Sequence, residues 1–93
     1  MRERDIEVYL RDRTRALGGR AYKWTSPGNN GVPDRIVILP GGRVYFVELK
    51  APGHKPTPLQ LAQHRMLEDL GCPVRVIDSK VQVDAFMAEV NGL

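Results

Sequence analysis

Cysteine is nearly absent from this sequence. Among 93 residues there is one, Cys72. A lone thiol excludes any disulfide within the chain and any cysteine-based zinc site. Both exclusions fit a reducing setting. Long apolar runs are missing too. No stretch is long enough to span a bilayer, and the opening "MRERDIEVYL" lacks the apolar core of a secretory leader, so no membrane partner is expected. No repeat or low-complexity segment occurs, and no helix combines a basic face with base-edge-reading side chains. Sequence-specific DNA recognition is therefore not expected. What remains is an ordinary globular composition, 42% hydrophobic and 27% charged. The length predicts a single domain over residues 1–93 with a thin core. Fourteen Lys and Arg against eleven Asp and Glu, with an isoelectric point near 9.4, lean toward a polyanionic partner.

Local patterns divide the chain. Arg4 to Leu17 reads as a helix, with Ile6, Leu10 and Leu17 along one stripe and Tyr9 and Ala16 beside it. Gly18 and Gly19 end it. "RAYKWT" is a strand candidate and "SPGNNGVP" a loop. Two apolar strands follow, Arg35 to Leu39 and Arg43 to Leu49, joined at Pro40-Gly41-Gly42. After the loop "APGHKPTP", Thr57 to Leu70 reads as a helix, with Thr57 as N-cap, Pro58 in the first turn and Gly71 as the stop. Val74 to Ile77 is a short buried strand. Ser79 caps a last helix through Val90. The order α-β-β-β-α-β-α predicts a mixed central sheet flanked by helices, in one α/β domain.

The chemistry gathers around one hairpin. Side chains alternate along a strand, so Glu48 and Lys50 share a face with Val44 and Phe46. If Pro40-Gly41-Gly42 forms a three-residue turn, Leu39 faces Arg43 and Asp34 faces Glu48. Their Cβ atoms would then stand roughly 4.5–5.5 Å apart, whereas a two-residue turn would send Asp34 to the other face. Two close carboxylates repel unless one protonates or a cation intervenes. A hard divalent ion such as Mg²⁺ takes one or two carboxylates and fills its shell with water and phosphate oxygens. Lys50 cannot ligate metal, but it can orient a water or neutralise charge on a phosphate. The set suits metal-assisted phosphodiester hydrolysis by in-line attack of water. For any isolated Glu-x-Lys, a surface ion pair is the commoner explanation. The whole arrangement is what argues for a site: Pro-Asp at a strand start, a glycine hairpin, then Glu-Leu-Lys before a Gly/Pro loop.

Those residues carry a resemblance. "PD" followed by "ELK" resembles the PD-(D/E)xK nuclease superfamily. The run "GVPDRIVILPGGRVYFVELKAPGHKPTPLQLAQHRMLEDLGCPVRVI" is similar to its VRR-NUC branch, the virus-type replication-repair nucleases. The likeness covers Gly31 to Ile77 and is weak before Gly31. It implies a restriction-endonuclease-like core, a metal-binding pair at Asp34 and Glu48, the Leu49 carbonyl as a further ligand, and Lys50 as catalytic lysine. It implies Mg²⁺ or Mn²⁺ as cofactor and DNA as partner, and it places the protein in the cytoplasm of a prokaryotic cell, host- or phage-encoded.

Further residues have two readings each. Gln60 matches a glutamine that reaches the active site in this branch, but Thr57 to Gln60 is also a capping box. Glu7 lies in the helix where many superfamily members supply an extra acid, yet Glu3, Asp5 and Asp12 crowd nearby as solvated charges. His64 reads as structural or DNA-facing, since Mg²⁺ prefers oxygen. His54 and Lys55 could meet a phosphate, and the loop Ser26 to Gly31 could let a nucleic-acid strand approach. Small relatives of this type resemble junction-resolving enzymes. The expectation is therefore a homodimer with an interface on the first helix and around Tyr22 and Trp24, cutting four-way junctions. A general nicking nuclease, an inactive DNA-binding module and a small interaction protein are the alternatives.

Overall fold

Ile6, Leu10 and Thr14 recur at every fourth residue and are fully buried, which fixes the inner face of the first helix, α1 (Glu3–Ala16). The computed structural model describes residues 1–91. After α1 come β1 (Arg20–Lys23), β2 (Arg35–Leu39), β3 (Arg43–Leu49), α2 (Pro58–Asp69), β4 (Val74–Ile77) and α3 (Lys80–Asn91). This is the expected order α-β-β-β-α-β-α. Two details of α1 differ from the sequence reading. Ala16 is exposed, and Thr14 takes the third buried place, because the stripe keeps a strict four-residue step to the end of the helix.

The sheet order is β1-β2-β3-β4. The first three strands are antiparallel neighbours, and β4 runs parallel to β3. A parallel neighbour needs a crossover, and α2 supplies it. One sheet face carries Val37, Leu39, Tyr45, Val47, Leu49 and Ile77. They pack with Ile6 and Leu10 of α1 and with Val83, Phe86, Met87 and Val90 of α3 to form the core. By strand alternation the opposite face carries Phe46 and Glu48. Trp24 rests on this second face, its ring centroid 5.1 Å from that of Phe46. His64 is the one buried residue of α2, while Leu59, Leu61, Met66 and Leu70 are exposed.

The hairpin has the register that a three-residue turn requires. Leu39 pairs with Arg43 and Arg35 with Val47, so the next pair outward is Asp34 opposite Glu48. Gly41 and Gly42 hold φ of +87° and +75°, a conformation that side chains disfavour. The turn closes through Gly42 N–H to the Leu39 carbonyl at 3.2 Å. Gly31 has a different reason to be glycine. Its φ is +90°, and an added Cβ would lie 3.1 Å from the Leu59 carbonyl oxygen. The loop before Asp34 thus presses against the start of α2, which brings the acids and α2 into one locality.

Candidate active site

Asp34 stands just before β2, and its Oδ2 accepts a 2.8 Å hydrogen bond from the Leu49 backbone N–H. That contact ties the aspartate to the far end of β3 and turns it toward Glu48. Glu48 is only 1% exposed. Its Oε1 lies 3.1 Å from His64 Nε2, and its Oε2 accepts a 3.4 Å hydrogen bond from Gln60 Nε2. Burial pushes the Glu48 carboxyl up to about 8, helped by its hydrogen bond to Asp34 and the aspartate's negative charge; Lys50 opposes the rise. Without a cation, Glu48 keeps a proton near neutral pH, as a buried carboxyl beside a second acid does. Lys50 follows β3 and is half-buried. Its backbone N–H is pinned to the Ile77 carbonyl at 2.9 Å.

Gln60 makes a contact for each of the two readings that the sequence left open. Its backbone N–H donates to Thr57 Oγ1 and its Oε1 accepts from the Thr57 N–H, which closes the capping box. The remaining Nε2 is then directed at Glu48. One helical turn later, His64 reaches the same carboxyl. Burial holds the His64 imidazole below its ordinary value, so it faces Glu48 as a neutral ring. An ionised Glu48 would require the tautomer with its proton on Nε2.

The first helix divides its acids differently from expectation. Glu7 is ion-paired to Arg35, Oε2 to Nε at 3.0 Å, and Arg35 is held further by the Ala21 carbonyl at 2.6 Å. Glu3 is the helix acid exposed to the site's field. Burial raises its carboxyl first, then the charge of Asp34, against the opposing pull of Lys50. Glu3 was not singled out by the sequence. His64 was, without its contact, although its place four residues after Gln60 puts both on one helix face. His54 is exposed in the loop after Lys50, near enough to Glu3 to lower its carboxyl slightly.

The donor set can be compared with what an ion needs. Among the described residues, no group of three or more His, Cys, Asp or Glu side chains is arranged to enclose a metal. Two carboxylates that repel strongly enough to retain a proton, beside an uncharged backbone carbonyl, nonetheless match a hard oxygen-preferring divalent ion that keeps several waters. Asp34, Glu48 and the Leu49 carbonyl are the residues that would hold it.

A mixed sheet whose first hairpin brings Asp, Glu and Lys to one end, with a crossover helix closing over the glutamate, defines a nuclease-like α/β domain. A solved structure described as a VRR_NUC domain is 39% identical and superposes with a TM-score of 0.87, covering 92% of this chain and 94% of that one. The protein named "Putative nuclease p44" from Acyrthosiphon pisum secondary endosymbiont phage 1 is 55% identical over 91 residues, which is 98% of this chain and 97% of the relative. No protein-family model matches the chain. On these likenesses the chain belongs to the VRR-NUC family.

Proposed function

We propose that the protein is a metal-dependent endodeoxyribonuclease that hydrolyses phosphodiester bonds in branched DNA. The observation that carries this reading is a buried Glu48 that keeps its proton near neutral pH beside a half-buried Asp34, with Lys50 two residues further on. A fold gains nothing from enclosing two acids unless a cation is to be received there.

When bound, Mg²⁺ or Mn²⁺ would polarise the scissile phosphate and lower the cost of ionising a water. The chain's residues supply the rest. Asp34 keeps its orientation through the Leu49 N–H, so its other oxygen is left for a ligand. Gln60 and His64 hold the Glu48 carboxyl in place. Lys50 offers a compact positive charge to the phosphate oxygens or to the attacking water. Glu7 enters this scheme through Arg35, the neighbour of Asp34, as a positioning residue, and Glu3 is the helix acid that faces the site.

His64→Asn and Gln60→Ala separate positioning from capping. His64→Asn is expected to lower cleavage about tenfold to a hundredfold with little loss of DNA affinity, because it frees a Glu48 oxygen without removing a ligand. Gln60→Ala is expected to cost about 1 kcal/mol of stability as well, because a cap is lost. Parental turnover in both variants would remove these residues from the mechanism.

The junction reading rests on assembly. A domain of this size grips little DNA, and two sites related by a two-fold axis suit a two-fold substrate. The apolar surface left for a second copy includes Leu59, Leu61 and Met66 of α2 with its C-cap Leu70, and Ile38, Val44 and Val76 on the open sheet face. On α1 Val8 is the one large apolar residue exposed, Tyr22 is open on β1, and Trp24 is partly covered by Phe46. Solution mass should show a dimer at micromolar concentration. Labelled duplex, flap and four-way-junction DNA should then be compared with Mg²⁺, with Mn²⁺ and with chelator. Paired incisions in opposing junction strands, with duplex left intact, are the expected result. A monomer that cuts all three substrates equally would make it a general nicking nuclease. Binding without any cleavage would make it an inactive DNA-binding module.

A further inference from the structure

Away from the acid pair, the outer side of α1 and the free edge of β1 enclose a trench with an unusual lining. Its near compartment, about 320 Å³, is bounded by Glu3, Arg4, Glu7, Arg11, Lys23 and Arg35. Its far compartment, about 110 Å³, shares Arg11 and adds Arg15, Arg20 and Tyr22. Arg4, Arg11 and Arg15 are seven and four residues apart, so they fall on one stripe of the helix. The edge position of β1 leaves that side of the trench open.

The charges in the trench are mostly uncommitted. Among the described residues, Arg4, Arg15, Arg20 and Lys23 make no ion pair, while Arg35 is engaged by Glu7. Arg11 meets Asp12 at 3.1 Å, but that pair is exposed and such pairs contribute little. On the other side of α1, Arg13 is paired with Asp84 of α3. Glu3, which bounds the near compartment, feels the charges of Asp34 and Lys50, so that end of the trench lies toward the acid pair.

We propose that this trench is a track for the phosphate backbone of a duplex DNA arm, with Arg4, Arg11, Arg15, Arg20 and Lys23 as its phosphate contacts. The inference rests on the nuclease reading and names where that substrate lies. From Arg4 to Arg15 the helix advances about 16 Å, which matches roughly five base pairs at ~3.4 Å each. Single-strand tracks alternate cations with stacking aromatics. Here the near compartment has no aromatic side chain, and Tyr22 stands only at the far end. The lining therefore fits a backbone read by charge, without sequence information.

The test is binding in chelator, where nothing is cut, to a fluorescent duplex and a four-way junction over a range of salt concentrations. The double variant Arg11→Gln/Arg15→Gln, and separately Arg4→Gln/Lys23→Gln, should each bind about tenfold more weakly at moderate salt. Each should also reduce the slope of log affinity against log salt by roughly two, one unit per lost phosphate contact. The charge-matched control Arg13→Gln/Lys80→Gln, on the α1–α3 seam, should keep the parental slope. All these side chains are exposed, and unchanged thermal unfolding would show that the fold is intact. Parental slopes in both trench variants, with the parent binding normally, would overturn the track and leave the nuclease reading standing. Equal losses in the control would reduce the effect to net charge and also overturn it. A parent that binds neither DNA would instead defeat the nuclease reading itself.

Discussion

Glu48→Gln is expected to abolish cleavage while making the cation-free protein more stable at alkaline pH. The substitution preserves size and the contacts to Gln60 and His64, but it cannot supply a negative ligand. Its effect on stability follows from the raised Glu48 carboxyl. The folded state keeps a proton up to about pH 8, whereas the unfolded chain releases it near the ordinary glutamate value of 4.5. Between those values the folded state binds more protons, so stability falls as pH rises. His64 acts in the opposite sense at the lower end. Its lowered value means that the unfolded chain takes up a proton first below about 6.5, and stability is lost there on acidification. The Glu48 effect is therefore clearest from about pH 6.5 to 8. At ~1.4 kcal/mol per unit, that stretch costs the cation-free parent up to about 2 kcal/mol, or roughly 10 °C in Tm for a domain of this size. Added Mg²⁺ should restore the loss, because a ligand that binds the folded state stabilises it. In Glu48→Gln the alkaline fall should vanish, with or without Mg²⁺. Asp34→Ala should likewise abolish cleavage, and its stability should hold or rise, because the lost bond to the Leu49 N–H is set against relief of the acid repulsion. Cleavage at near the parental rate in either variant would refute the metal site. A cation-free parent with a flat Tm over that range would refute the retained Glu48 proton.

Much of this site was legible because a hairpin converts sequence distance into spatial parity. Pro40-Gly41-Gly42 allowed a three-residue turn, and that turn alone determined whether Asp34 met Glu48 or faced away. The parity then extended along β3 to Lys50. Gln60 was legible twice, as a cap and as a site residue, because an amide has separate donor and acceptor ends and the structure uses both. Other features depended on packing that no local pattern encodes. Glu7 is claimed by Arg35, 28 residues away in sequence, and that pairing leaves Glu3 to face Asp34 and Lys50. His64 shares a helix face with Gln60, but its burial depends on α2 lying over the end of β3. The punctuation by Thr57, Pro58 and Gly71 marked α2, and only the fold shows how many of its apolar residues stay uncovered. The arginines of α1 line a trench only because β1 lies beside them.

Lys50→Ala is expected to lower cleavage by about two to three orders of magnitude, the usual cost of removing one group that stabilises transition-state charge, while divalent-ion binding survives. The division of labour follows from position. Lys50 follows β3, near enough to pull the Glu48 carboxyl down, and an ammonium donates hydrogen bonds but has no lone pair for a cation. Its loss acts on the ion site in two opposing ways. A positive charge beside the cation disappears, which tightens binding. The Glu48 carboxyl also loses the pull that restrains its rise, so protons compete better with the ion. Well above pH 8 the second effect fades, and calorimetry with Mg²⁺ there should give an affinity equal to or above the parent's. Lys50→Arg should recover only part of the activity. Its charge is spread over a planar fork that cannot occupy the place of a compact ammonium. Restored ion affinity without restored turnover assigns the lysine to the phosphate and the water. Lost ion affinity in Lys50→Ala at that pH, or full activity in Lys50→Arg, would overturn that assignment.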